Sequence, residues 1–245
     1  MPKPKLPPEI VDFIIDFLHN DQKALEQCCL ASKPWVPRTR KYLFNSVSFR
    51  HPRQIDSWKE NFSDPRNSPA IYTRYLCFRR AEWVTRADVS WIRSFDKVER
   101  LDLRSSWTVD EPSRPGGSFS PFHDFSLTVK SLSVSWSDLP LWEVFDLISS
   151  FPLLEDLDVA GLGQINDGDG AISRFPVLTG TLVLEPTTAD FVRRLLELPT
   201  GLLLRKIVWR EGLENEFEGV RDLVERCSET LECVDLTCRT SPRPT

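Results

Sequence analysis

Histidine is scarce in this chain: His19, His51 and His123 are the only three in 245 residues. None of them sits in a nucleophile–base or metal-binding motif, so the common side-chain routes to acid–base or metal-assisted catalysis have little to work with. No run of apolar residues approaches the roughly eighteen needed to span a bilayer. The N-terminus, with Pro2, Pro4 and Pro7, has no apolar stretch followed by a small-residue cleavage site, and so does not read as a signal peptide. A cytoplasmic or nuclear protein without a membrane partner is the expectation. The six cysteines are then expected as free thiols. Cys227, Cys233 and Cys238 have no zinc-site spacing and no neighbouring histidine, where tetrahedral structural zinc needs four ligands. No metal or cofactor is implied, and no enzyme. Asn61-Phe62-Ser63 fits a glycosylation sequon, but an intracellular chain never meets that machinery.

Basic character is also missing where nucleic acid would need it. The net charge is −5, with eight Lys/Arg against five Asp/Glu in residues 1 to 50, and nine acids against two arginines from Glu211 to Asp235. An acidic end of this kind argues against nucleic acid as the ligand. Arg38-Thr39-Arg40-Lys41 has the composition of a nuclear-localisation cluster and equally that of a solvated helix face.

What is present begins at Leu6. Pro7 and Pro8 suit a first helical turn, and Glu9 and Asp12 complement the positive end of the helix dipole. Ile10, Phe13, Ile14, Phe17 and Leu18 follow the spacing of one apolar helix face, which Val11 and Ile15 extend sideways. So wide a stripe needs two surfaces to pack on. Leu25 to Leu30 form a second helical stretch, which Pro34-Trp35 ends.

The pattern Leu6-Pro7-x-Glu9-Ile10, Ile14, Leu18, then Leu25-x-x-Cys28-x-Leu30-x-Ser32-Lys33-x-Trp35 closely resembles the F-box, in the form common in mushroom-type fungi. Ala31, where that family usually has valine, and Pro34 depart from it. The resemblance implies that residues 1–50 form a short three-helix F-box that docks on a Skp-type adaptor and through it on a cullin, with Leu6, Pro7, Ile10, Ile14, Leu25, Cys28, Leu30 and Trp35 as the adaptor-binding residues. It further implies that the remainder of the chain selects a target protein for ubiquitylation. The alternative is an interaction scaffold outside any ligase, whose N-terminal helices merely cap the following domain. A cap buries its apolar residues, whereas a docking helix leaves several of them accessible.

Residues 51–245 carry an internal period. Apolar-x-apolar triplets recur as Leu76-x-Phe78, Leu101-x-Leu103, Leu132-x-Val134, Leu157-x-Val159, Leu182-x-Leu184, Ile207-x-Trp209 and Val234-x-Leu236, with first positions 25, 31, 25, 25, 25 and 27 residues apart. Val98, Val129, Leu154, Leu204 and Leu231 stand three residues upstream, with Thr73 and Thr179 at the weaker repeats. The 31-residue interval holds the Pro/Gly/Ser-rich stretch from Pro112 to Ser118, which reads as an inserted loop. The intervals elsewhere contain helical apolar faces: Ile55, Trp58 and Phe62; Val89, Ile92 and Phe95; Leu141, Val144, Phe145 and Ile148; Phe191, Leu195 and Leu196; Phe217, Val220, Val224 and Cys227. Gly161 to Gly170 reads as a loop instead.

This pattern resembles an irregular leucine-rich repeat, which predicts an α/β fold: a curved solenoid with a parallel sheet on its concave face. Side chains alternate along a strand, so the residues between the apolar ones face the other way and line that face. Arg79, Arg100, Asp102 and Arg104 are the candidate target-binding residues, the three guanidinium groups being expected to converge on one anionic group. The competing expectation is that Asp102 pairs with a neighbouring arginine as a solvated surface bridge. After Leu236 the chain is polar and proline-rich, so the last strand is expected to be an open edge, completed by further chain or by association around Val234.

Overall fold

The computed structural model describes residues 6–64, 66–81, 84, 90–105, 119–125, 127–135, 140–161, 175–185, 189–198, 202–212 and 217–238. The fold is mixed α/β. Three helices come first: α1 (Pro8–Phe17), α2 (Gln22–Ala31) and, after a 3-10 turn over Lys33–Trp35, α3 (Val36–Leu43). Each start is written locally. Pro7 stands at the N-cap of α1, the Asp21 side chain accepts from the Ala24 N–H at 3.0 Å to cap α2, and Ser32 is extended and breaks the chain between helices.

The sheet has eight parallel strands in chain order: β1 (Ser46–Phe49), β2 (Tyr75–Phe78), β3 (Arg100–Arg104), β4 (Ser131–Ser135), β5 (Asp156–Ala160), β6 (Thr181–Leu184), β7 (Lys206–Gly212) and β8 (Cys233–Cys238). The seven triplets of the sequence are seven of these strands. Leu76, Leu101, Leu132, Leu157, Leu182, Ile207 and Val234 pair one with the next in register. The alternation that hides one face of a strand fixes this register, because a slip of one residue would expose the whole set. β1 carries the same alternation, Val47-x-Phe49, and pairs with β2 at Leu76 and Phe78. It lies within the first fifty residues and heads the sheet.

Parallel neighbours need long crossovers. Among the described residues four of these carry α-helices on the core side: α4 (Pro52–Asn61), α5 (Leu141–Ser149), α6 (Ala189–Glu197) and α7 (Phe217–Arg226). Of the helical face expected at Val89, Ile92 and Phe95, Val89 lies outside the described residues, and the described part holds a 3-10 turn over Ser90–Ser94; a second 3-10 turn covers Ser120–Phe125. The expected insertion at Pro112–Ser118 and most of the Gly161–Gly170 loop lie outside the described residues. Gly161 itself has φ 62°, the left-handed conformation that glycine adopts without steric cost.

The core lies between the sheet and these crossovers. Val98, Val129, Leu154 and Leu204 are buried as their position upstream of each strand predicts, and Thr73 is buried with its hydroxyl donating to the Phe44 carbonyl at 2.9 Å. That bond ties the end of the three-helix region to the sheet. At the β1 end the core is aromatic: Phe49 stacks on Phe78 and meets Trp58, Trp91 and Phe95 edge-on. Gly180 is required by close approach, since a Cβ there would lie 2.3 Å from Asp156 Oδ1.

Candidate functional site

Two surfaces carry the residues singled out from the sequence. The first is α1 with its neighbours. The broad apolar stripe of this helix divides into two faces: Ile15 is 1% exposed and packs inward, whereas Ile10, Phe13, Ile14 and Phe17 stand 48, 71, 43 and 80% exposed at the i, i+3, i+4, i+7 positions of a single outer face. Leu6 (57%) and Leu30 (81%) are exposed as well.

A polar clamp holds α1 in place. Asp16 accepts hydrogen bonds from Arg38 Nε at 2.7 Å, from Arg38 Nη2 and from the Tyr42 hydroxyl at 2.7 Å, so both partners come from α3. Arg38 also reaches Asp12 at 3.8 Å. The hydrogen bonds from Arg38 and then Tyr42 pull the Asp16 carboxyl down to about 2, and Tyr42 is raised in return. Thr39, buried on the same helix, donates to the Trp35 carbonyl at 2.9 Å and lies 2.8 Å from Cys29 Sγ. Buried Ile15 and the Asp16 network are thus prominent among the contacts that join α1 to its neighbours.

Of the residues assigned to adaptor binding, Leu6, Pro7, Ile10, Ile14 and Leu30 are open, while Cys28 and Trp35 are half-buried. Leu25 differs from these: it is 1% exposed, because its position on α2 turns it into the packing between the helices. Phe13 and Phe17, the most exposed aromatics of the helix, were legible in the stripe but not in the motif. The Asp16–Arg38–Tyr42 clamp had no sequence signal, since its members are 22 and 26 residues apart.

The second surface is the sheet face opposite the core, crossed in register by Ser48, Cys77, Asp102, Ser133, Asp158, Val183, Val208 and Asp235. Asp102 is 2% exposed and is no solvated bridge. It accepts from the Tyr75 hydroxyl at 2.9 Å, from Arg104 Nε at 2.9 Å and from Arg104 Nη2 at 2.8 Å. Three donors, two of them from a cation, offset the cost of removing a carboxylate from water. Burial and the bond to Asp102 push the Tyr75 hydroxyl well above its ordinary range, and the same carboxylate raises Arg104.

The expected convergence of three guanidinium groups is therefore replaced by another arrangement. Arg104 forks onto Asp102, and the Arg100 guanidinium lies 5.3 Å from the centroid of the Tyr75 ring. Arg100 and Arg104 are also four residues apart on one extended strand, about 13 Å. Arg79, one residue beyond β2, is exposed, and among the described residues its side chain has no ion-pair partner. The result is a neutralised pair flanked by two exposed cations.

Further along the face, Ser133 Oγ donates to Asp158 Oδ2 at 3.3 Å, and Arg210 lies 3.6 Å from Glu185. Burial, reinforced by Glu185, raises the Asp158 carboxyl. The face can thus present cations at β2–β3 and hydroxyls and carboxylates at β4–β6. Among the described residues no group of three His, Cys, Asp or Glu side chains could hold a metal ion, and no helix is long and apolar enough to cross a membrane. Compared with family models, with curated proteins and with solved structures, the chain has no match.

Proposed function

We propose that the chain is the substrate-recognition subunit of a Skp-cullin-F-box ubiquitin ligase, with the helices α1 to α3 acting as the F-box and the strand-and-crossover region as a leucine-rich-repeat-like solenoid that holds the target. The observation that carries this reading is the outer face of α1. A helix serving only as a cap turns its apolar side inward, yet here four large apolar side chains of one face, with Leu6 and Leu30, point to solvent. Burying them against a partner supplies the driving force for docking, and the Asp16 clamp holds the helix in the orientation to do so.

The target surface in this reading is the face bearing Arg79, Arg100 and Arg104, with Asp102 fixing Arg104 from beneath. In the sheet order these cations belong to the strands nearer the N-terminal helices, and the carboxylates Asp156 and Asp158 of β5 lie farther along, which suits a target with an acidic segment close to the adaptor.

The test is direct. The purified chain is mixed with a purified Skp-type adaptor and run on a sizing column with light scattering. A one-to-one complex is expected, with loss of at least about tenfold in affinity for Leu6→Ala/Pro7→Ala and for Phe13→Ser/Phe17→Ser, since each interface anchor contributes about 1–3 kcal/mol. Both variants change exposed side chains and should keep the wild-type circular dichroism. Failure of the wild-type chain to bind the adaptor would leave the scaffold reading standing.

A further inference from the structure

The first residues of the strands form a row whose charge changes sign with the sheet's own spacing. Across β3 to β7 the register aligns Arg100, Ser131, Asp156, Thr181 and Lys206. A cation, a carboxylate and a second cation thus stand on every other strand, with a hydroxyl between each. Arg100 is exposed and the other four are half-buried, and the turns that lead into these strands, residues 95–99, 127–130, 150–155, 175–180 and 202–205, all lie among the described residues. Strands lie about 4.8 Å apart, so each charge is about 9.6 Å from the next. That is beyond ion-pair reach, and among the described residues none of the three has an ion-pair partner.

Among the described residues the other charges of this face leave the pattern standing. Asp102 is taken by Arg104 at 2.8 Å, and Glu185 lies 3.6 Å from Arg210. In the turns before the row, Arg74 pairs with Glu99 at 2.6 Å, Lys130 with Glu155 at 3.8 Å, and Arg205 donates to the Thr179 carbonyl at 3.1 Å. Arg50 and Arg79, which follow β1 and β2, add to the positive end, and Asp158, bonded to Ser133, adds to the negative middle. Glu232 and Asp235, beside and on β8, lie beyond Lys206. A second copy laid antiparallel on this row would set cation against cation and carboxylate against carboxylate.

We propose that this row binds a polyproline II segment of the target that carries carboxylate-x-x-lysine-x-x-carboxylate, with the lysine seated at Asp156. The period decides the conformation. In a polyproline II helix every third side chain returns to the same face after about 9.3 Å, about 0.3 Å short of the row's spacing. A β-strand repeats its face at about 6.6 or 13 Å, and an α-helix at about 10.5 Å, which drifts by about 2 Å over the three charges. The polyproline II backbone has no internal hydrogen bonds, so the Ser131 and Thr181 hydroxyls between the charges can donate to its carbonyls. The Arg100 guanidinium rests 5.3 Å from the Tyr75 ring centroid, which positions it while its donors stay exposed. The inference rests on the reading of this face as the target surface, and not on the adaptor.

The probe is the fluorescently labelled heptapeptide Glu-Pro-Pro-Lys-Pro-Pro-Glu, titrated into the full chain at low salt and followed by anisotropy. Its prolines preset the conformation. Two controls accompany it: Lys-Pro-Pro-Glu-Pro-Pro-Lys reverses the signs, and Glu-Pro-Lys-Pro-Glu keeps the charges but not the period. The probe is expected to bind about tenfold or more tightly than either, since three exposed pairs of modest individual strength act together. Arg100→Glu/Lys206→Glu makes the row negative throughout. That variant, with a wild-type circular dichroism spectrum, should lose about tenfold for the probe and prefer Lys-Pro-Pro-Lys-Pro-Pro-Lys. In the wild type the resonances of Ser131, Asp156 and Thr181 should shift as the probe is added, a readout that does not depend on the variant. Equal binding of either control, an unchanged preference in the folded variant, or no binding of the probe would overturn the proposal. Adaptor binding is read separately on the sizing column, so loss of the peptide with an intact adaptor complex strikes this inference alone.

Discussion

Replacing Asp102 by alanine should cost more than its position on the sheet's non-core face suggests. The carboxylate is almost wholly buried and serves two residues of different standing. Arg104 is 54% exposed, so on losing Asp102 it returns to water at a cost of about 1 kcal/mol or less. The Tyr75 hydroxyl is half-buried beneath the same network, and leaving such a donor unsatisfied costs about 1–3 kcal/mol. The sum expected for Asp102→Ala is about 2–3 kcal/mol. Asp102→Asn keeps an acceptor for Tyr75 and loses only the charge, so its cost should stay near 1 kcal/mol. Tyr75→Phe in the alanine background removes the orphaned hydroxyl, and the double variant should be more stable than the two single costs added together, by about 1 kcal/mol. Urea unfolding of five proteins, the wild type, the three single variants and the double variant, with unchanged slope, measures all three quantities. Equal midpoints for Asp102→Ala and Asp102→Asn, or strict additivity with Tyr75→Phe, would refute the assignment of Asp102 as the buried support of this corner.

Two further outcomes follow from the same packing. Gly180→Ala places a methyl group 2.3 Å from Asp156 Oδ1, which accepts the Thr181 N–H at 2.7 Å, and 2.9 Å from the Glu155 carbonyl oxygen; the overpacking should cost about 1–3 kcal/mol in a urea titration, and a cost below about 0.5 would contradict the close approach. Asp16, lowered to about 2 by Arg38 and Tyr42, stabilises the packing of α1 fully above its ordinary value near 3.8 and loses that contribution as the pH falls through about 2. The methyl resonances of Ile15 should therefore shift between pH 4 and 2 in the wild type and stay flat over that interval in Asp16→Asn, whereas identical profiles would remove the clamp.

The strands were readable because burial of one face imposes a period of two, and near-constant spacing then repeats it along the chain. β1 carried the same signal in Val47-x-Phe49 but fell inside the stretch that the N-terminal motif claimed. Burial on the non-core face was not readable. Asp102 alternates correctly with Leu101 and Leu103, yet its exclusion from water depends on Tyr75, 27 residues away, and on the direction taken by Arg104. In α1 the width of the apolar stripe announced two surfaces without saying which residues served which. Ile15 turned inward and Phe17 outward because the clamp at Asp16 sets the rotation of the helix. For Leu25, a motif position and a core position coincide, and packing within the three helices decides between them.

The sheet's strict chain order has a consequence for how the molecule comes apart. Each strand leans only on its predecessor and successor, so cohesion is a chain of nearest-neighbour contacts rather than a web closed on itself. Loss of structure then has a direction. β8, with one neighbour and bare side chains, is the cheapest unit to detach, and its departure makes β7 the next exposed rim; the aromatic end at β1, where Phe49, Phe78, Trp58, Trp91 and Phe95 interlock, gives way last.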